Sequence, residues 1–146
     1  MRRQSGSLIV ILGARFLSPY IMMFGLYVIF HGHYSPGGGF QGGTLLAASV
    51  LLVRIAGGRL IARRQIEEFF TTPLAALGVV IYFTTGIAAI VGGGYFLDYG
   101  SIPFSGVTPV MLRYYGILII EIGVGLAVMS ILIMIYDNMA KGEDFV

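Results

Sequence analysis

The sequence predicts an all-α membrane protein with four transmembrane helices, and three observations lead to that fold class. Of its 146 residues, 57% are hydrophobic and only 11% are charged, whereas soluble domains carry about 25% charged residues. A chain of this length has too little interior to hide so much apolar surface from water. The few charges also cluster, and they leave long uncharged runs whose lengths suit a lipid bilayer.

The first uncharged run lies between Arg15 and Arg54. Because one membrane-spanning helix needs about 20 residues, this run is long enough for two. Its interior break is a segment in which proline and consecutive glycines oppose a continuous helix. We therefore predict helix 1 at 7–31 and helix 2 at 40–57. The glycine-rich break contains Pro36, Gly37, Gly38, Gly39, Phe40, Gly42 and Gly43.

Two further apolar runs predict helices 3 and 4. The first extends from Phe69 to Leu97 without a charge, and it predicts helix 3 at 73–93. The second, from Tyr114 to Tyr136, contains a single charge, Glu121, and predicts helix 4 at 113–136. We expect residues 1–146 to form one integral membrane domain. A cleaved signal peptide is disfavoured for the first run because no A-x-A-like cleavage site follows it.

The distribution of positive charge predicts that both termini are cytoplasmic. Arginines lie in the N-terminal segment and in the connection between helices 2 and 3, whereas the turn between helices 1 and 2 has no Lys or Arg. The arginines of the connection are Arg54, Arg59, Arg63 and Arg64. Asp137 is interpreted as the point where helix 4 leaves the membrane. Residues 59–70 fit an interfacial helix on the cytoplasmic surface and an ordinary charged linker equally well.

Several functional classes are excluded or disfavoured by composition. The chain has no cysteine, which excludes disulfides, thiolate zinc sites and cysteine-ligated iron–sulfur clusters. The glycine-rich break matches neither the dinucleotide-binding fingerprint nor the P-loop. We find no basic stripe for nucleic acid and no nucleophile beside a base. We therefore expect no catalytic residue, no metal and no cofactor on this chain, so any redox centre of an assembly would belong to another subunit.

Glu121 is the sharpest candidate for a functional residue. It lies eight residues into the apolar run that begins at Arg113, about 12 Å along the helix axis. A charged group at membrane depth costs at least about 2.5–3.5 kcal/mol on insertion scales. Retaining an acid there implies a partner, a water-filled cavity or a bound proton. A proton or cation relay and a simple hydrogen bond to a neighbouring helix explain it equally well.

The glycine-rich break has a functional and a structural interpretation. In the first, freed amides and the start of helix 2 face a polar cavity lined by His31, His33 and Gln41. In the second, which we favour, the glycines form a tight turn that lets helices pack closely. The predicted topology places these three residues in the same membrane half as Glu121. The four residues are therefore the candidates for an ion relay.

Three motifs indicate a family. They are RFLSP at 15–19, FGLY at 24–27 and HGHYSPGGGFQGG at 31–43. With them the chain resembles the B subunit of Mrp-type multisubunit Na⁺/H⁺ antiporters. It also resembles the similar subunits of energy-converting hydrogenases and sulfur-reducing complexes. The resemblance of helix 4, through EIGV at 121–124, is looser, because antiporter versions often have aspartate at the acidic position.

The resemblance implies a small non-catalytic membrane subunit that works beside larger antiporter-like subunits in the cell membrane. It also implies that the assembly translocates Na⁺ or H⁺. A stand-alone antiporter and the membrane arm of a redox-driven respiratory complex both remain open, since no cofactor ligand on this chain would distinguish them. An independent small cation channel or carrier and a purely structural packing subunit are the alternative functions.

Overall fold

The computed structural model describes residues 7–32, 37–65, 68–104 and 106–142. These residues contain four α-helices and one 3₁₀ turn, and no strand. The helices are α1 (Leu8–Phe30), α2 (Gly38–Gln65), α3 (Glu68–Val91) and α4 (Pro109–Gly142), and the turn is Tyr99–Ser101. Each helix contains a stretch long and apolar enough to cross a membrane. The predicted all-α fold with four transmembrane helices is therefore confirmed.

The apolar part of α2 ends at Gly58, where φ is 67° and the backbone leaves the helical conformation. A positive φ favours glycine because it lacks a Cβ. Helical backbone then continues to Gln65. The side chains of 59–68 lie outside the described residues, so the apolar face of the predicted interfacial helix at 59–70 stays a prediction.

Helices α3 and α4 are longer than the hydrophobic pattern indicates. α3 begins at Glu68 and includes Pro73, and prolines are tolerated in membrane helices where neighbours satisfy the freed carbonyl. α4 begins at Pro109, a position where proline's missing N–H costs nothing. Its 34 residues would extend over about 51 Å, so α4 projects beyond the hydrocarbon layer of about 30 Å.

The four helices lie in a row in the order α1, α2, α4, α3, because α2 packs on α1 and α4, and α3 packs on α4. In the most apolar stretch of α2, 56% of the residues are buried, against 17% in α1 and in α3. α2 is therefore the most enclosed helix. Four spans place the start of α1 and the end of α4 on the same side. The cytoplasmic orientation of that side stays a prediction.

α1 and α2 pack antiparallel with small residues between them. Gly25 faces the backbone of Gly42. Further along, the Ser18 hydroxyl donates a hydrogen bond of 2.9 Å to the carbonyl of Ser49. The residue numbers therefore rise on one helix as they fall on the other, and the small side chains permit the close approach that membrane helices use.

α2 and α4 pack parallel, with residue numbers rising together on both helices. The facing pairs are Gly39 with Glu121, Gly43 with Gly125, Val50 with Ile133, and Arg54 with Asp137. The offset in residue number between the two members is nearly constant from the first pair to the last. One straight seam of contacts therefore runs from the start of α2 to its last apolar turns.

α3 and α4 pack antiparallel through another glycine contact. A Cβ at Gly78 would lie 2.7 Å from the backbone nitrogen of Ala127 and closer still to the carbonyl oxygen of Gly123. Both obstacles are backbone atoms, which move only if the helices separate. Gly13 is the opposite case, since a Cβ there would meet nothing within 4 Å.

We expect Gly78→Ala to lower the free energy of unfolding by about 1–3 kcal/mol, because overpacking forces α3 away from α4. Gly13→Ala is the matched control, and it should be neutral or slightly stabilising since alanine favours helix. Thermal unfolding of the purified full chain in detergent measures both. Equal effects of the two substitutions would contradict the proposed α3–α4 contact.

Candidate functional site

Glu121 lies on α4 where that helix meets the start of α2, and its side chain is buried, with 9% exposed. The backbone N–H groups of Gly38 and Gly39 donate hydrogen bonds to its carboxyl group. These two residues are the first two of α2, whose N–H groups have no partner within their own helix. Glu121 therefore caps α2 from a neighbouring helix.

Two glycines make room for this contact. A Cβ at Gly32 would overlap the Glu121 carboxyl group. A Cβ at Gly39 would lie 2.6 Å from the Glu121 carbonyl oxygen and 2.9 Å from its Cα. Next to them, Gly37 has φ 91°, which favours glycine, and its carbonyl accepts the first helical bond of α2, from Gln41. The break therefore brings backbone against Glu121.

Two opposing influences act on the Glu121 carboxyl group. The two amides and the positive end of the α2 dipole stabilise its negative charge. Burial among apolar helices favours its neutral form. Its Oε2 atom is also buried and has no hydrogen-bond partner among the described residues. A carboxyl group balanced in this way, with one oxygen that has no described hydrogen-bond partner, has the chemistry needed to take up and release a proton.

The connection between α3 and α4 covers one side of the site. The Tyr99 side chain packs over Gly116, where a Cβ would lie 2.6 Å from the Cβ of Tyr99. Burial raises the pKa of the Tyr99 phenol, and the nearby Tyr82 and the negative charge of Glu121 raise it further. The Tyr99 phenol is therefore neutral at physiological pH.

The other predicted relay residues are more exposed than Glu121. His31 is exposed, its ring stacks on Tyr27 with 4.1 Å between ring centroids, and its Nδ1 lies 3.1 Å from the Tyr27 carbonyl oxygen. Gln41 and Phe40 are also exposed. The remaining predicted residues, His33 and Pro36, lie outside the described residues. Glu121 is thus brought to the glycines of the break, while His31 and Gln41 lie on the surface of the chain.

The interpretation of Arg54 as a residue of the connection between helices 2 and 3 is wrong. Arg54 lies inside α2, not in the connection that follows it, and only 2% of it is exposed. It forms a salt bridge with both carboxylate oxygens of Asp137 on α4. An arginine next to the polar segment 57–65 is typical of a loop. Its partner becomes evident only from the difference in residue number between facing residues of α2 and α4.

Ser130 is a further buried polar residue of α4. The hydroxyl of Ser130 is buried and has no hydrogen-bond partner among the described residues. Among all the residues that the structure describes, no three His, Asp or Glu side chains gather into a group that could hold a metal ion. The expected absence of a cofactor stays a prediction.

Comparison with known proteins gives a family match over most of the chain. Residues 9–134 match a family model described as a domain related to the MnhB subunit of Na⁺/H⁺ antiporter. The Na⁺/H⁺ antiporter B subunit of Alkalihalophilus pseudofirmus is 33% identical over 126 residues, which cover 82% of this chain and 85% of that protein. The corresponding antiporter protein of Bacillus subtilis is 28% identical, and the match covers 97% of this chain and 98% of that protein.

Two longer relatives are also similar. A Methanocaldococcus jannaschii protein is 38% identical over 81 residues, and the match covers 56% of this chain but only 30% of that protein. A chain of the membrane-bound sulfane sulfur reductase (MBS), an archaeal respiratory membrane complex, has 31% sequence identity and a TM-score of 0.56. That match covers 90% of this chain and 60% of the solved chain.

We expect Gly32→Ala and Gly39→Ala each to lower the free energy of unfolding by about 1–3 kcal/mol through overpacking. Adding Glu121→Ala should remove the cost of one of these substitutions and not of the other. The obstacle to a Cβ at Gly32 is the Glu121 side chain, whereas at Gly39 the nearest obstacle is the Glu121 backbone. In the Glu121→Ala background, Gly32→Ala should therefore become nearly neutral, while Gly39→Ala should keep its cost.

Thermal unfolding of the single variants and the two double variants in detergent measures this difference as a double-mutant cycle. A full cost of Gly32→Ala in the Glu121→Ala background would contradict the described position of the carboxyl group. Gly13→Ala serves again as the control for adding a methyl group to a membrane helix.

Proposed function

The chain belongs to the family of MnhB subunits of Na⁺/H⁺ antiporters, and we propose that it is a non-catalytic membrane subunit of an ion-translocating module of that type. Its family match extends over residues 9–134, and two antiporter proteins of this kind align with it over 85% and 98% of their length. Four helices that suit a membrane support a multi-pass subunit. Its partners in this proposal are the other membrane subunits of the assembly.

We assign the central role in this chain to Glu121. A buried carboxyl group in a membrane helix is costly and is typical of ion and proton pathways. The amides of Gly38 and Gly39 hold it in place, while Oε2 is buried without a described hydrogen-bond partner. Proton exchange at Oε2 therefore requires water or a group of a neighbouring subunit to reach it. Na⁺ or H⁺ is the transported ion. In this proposal the chain has no enzymatic activity of its own.

The similarity to a chain of the sulfane sulfur reductase complex favours a second version of this function. At 31% identity over 90% of this chain, it supports the membrane arm of a respiratory complex as well as a stand-alone antiporter. Purification of the native complex and mass identification of its members distinguish the two. Subunits with iron–sulfur or nickel–iron centres would indicate the respiratory arm, and antiporter subunits alone would indicate the exchanger.

We expect both termini to be cytoplasmic in the cell membrane, in accord with the positive charge of the connection between α2 and α3. Tyr95, between α3 and α4, and Met139, near the end of α4, are 87% and 70% exposed. The natural chain has no cysteine, so single substitutions report cleanly. In intact cells, a membrane-impermeant maleimide should label Tyr95→Cys and leave Met139→Cys unlabelled until the cells are opened. The reverse pattern would overturn the orientation.

We expect Glu121→Gln to reduce Na⁺-dependent proton exchange by the assembled complex by at least about tenfold, because glutamine cannot carry the proton. Glutamine keeps the size and one acceptor oxygen, so α2 stays capped. Proton movement out of acidified everted membrane vesicles, measured with a pH-sensitive dye after Na⁺ addition, provides the rate. Complex amount is measured in the same vesicles by immunoblotting.

Two variants calibrate this result. Glu121→Asp keeps the acid on a shorter side chain and should retain a substantial part of the exchange. Asp98→Asn changes an acid in the α3–α4 connection, where it accepts a hydrogen bond of 2.8 Å from Ser101, and should leave exchange unchanged. Normal exchange by fully assembled Glu121→Gln complexes would show instead that the carboxyl group only packs α2 against α4.

A further inference from the structure

The buried ion pair of Arg54 and Asp137 lies at the opposite end of the α2–α4 seam from Glu121. Arg54 is 2% exposed, and the Asp137 side chain is 11% exposed. Taking two charges out of water is expensive, and replacing a buried ion pair by apolar residues of similar size is often neutral or stabilising. Stability alone therefore gives no reason for the pair.

The two polar contacts of the seam have the same spacing on both helices. The interval from Gly38 to Arg54 on α2 equals the interval from Glu121 to Asp137 on α4. At about 1.5 Å per residue, the contacts lie about 24 Å apart on each helix. Because α2 and α4 run parallel, both contacts form together in one register.

The residues between the two ends specify register weakly. They include Gly43 facing Gly125, and a buried cluster of Ala47, Val50 and Ile133. Helices in lipid gain no hydrophobic driving force from such contacts, and a slide of one turn in one direction would put Gly39 in the place of Gly43, one glycine for another. A slide of one turn would displace the ends by about 5.4 Å, which separates the start of α2 from Glu121.

We propose that the Arg54–Asp137 ion pair sets the register of α2 on α4 and thereby holds the amides of Gly38 and Gly39 on Glu121. A polar contact that fixes register between helices is the best supported use of a buried polar group. Arg54 and Asp137 are positioning residues in this proposal, since they act on the Glu121 site through α2 and α4.

Disulfide cross-linking of the full chain in its native membrane tests the register directly, because the chain has no cysteine of its own. Val50→Cys with Ile133→Cys reports the described register. Val50→Cys with Met129→Cys, and Ala47→Cys with Ile133→Cys, belong to the same cluster but lie about one turn from that register. A slide in either direction would therefore raise the rate of one of them relative to the first pair. The initial oxidation rate of the first pair is divided by that of each of the other two.

The double variant Arg54→Met/Asp137→Leu removes both charges and keeps the volume. We expect it to accumulate normally, with the rate ratio reduced about tenfold, equivalent to ~1.4 kcal/mol of register preference. The charge-swapped variant Arg54→Asp/Asp137→Arg should restore the ratio. Arg15→Met, which removes an exposed arginine of α1, should leave it unchanged.

Three results would overturn the proposal. They are an unchanged ratio in the double variant, loss of that variant from the membrane, and a charge-swapped protein that keeps the reduced ratio. The second would show that the pair provides stability and not register. Since cross-linking does not depend on transport, these results are independent of whether Glu121 carries protons.

Discussion

The contact between the Glu121 carboxyl group and the first amides of α2 is the constraint on which the structure depends. A helix that begins in apolar surroundings has N–H groups that water cannot reach, and leaving them unpaired is costly. Soluble helices usually solve this with a Ser, Thr or Asp of their own chain segment. Here α2 begins with glycines, and a carboxylate from α4 takes that role. The start of α2 is therefore tied to α4 by hydrogen bonds, in addition to its packing on α1.

That tie accounts for the arrangement of the helices. Since Glu121 lies twelve residues into α4, the start of α2 must meet α4 well inside it, and the two helices run parallel from that point. α1 packs mainly on α2 and reaches α4 through Ile29, and α3 packs along another face of α4. The resulting row leaves α1 and α3 largely uncovered, as suits surfaces that face lipid or other subunits.

The number of helices and the break between α1 and α2 can be predicted from sequence, because both depend on local composition. Glu121 and the glycines are also singled out separately, by the cost of a buried charge and by unusual backbone freedom. Their contact could not be predicted, since it depends on which helices become neighbours. Arg54 shows the same limit: it resembles a loop arginine until the parallel packing of α2 and α4 brings Asp137 to it.

A structural role and a transport role for Glu121 support each other in physical terms. The hydrogen bonds from Gly38 and Gly39 and the attraction of the α2 dipole are stronger for the carboxylate than for the neutral acid. Proton uptake at Glu121 therefore weakens the hold on the start of α2, and any displacement of α2 in turn changes the proton affinity of Glu121. This reciprocity follows from linkage. The carboxyl group that fixes the helix is thus also the group through which a passing proton would move it.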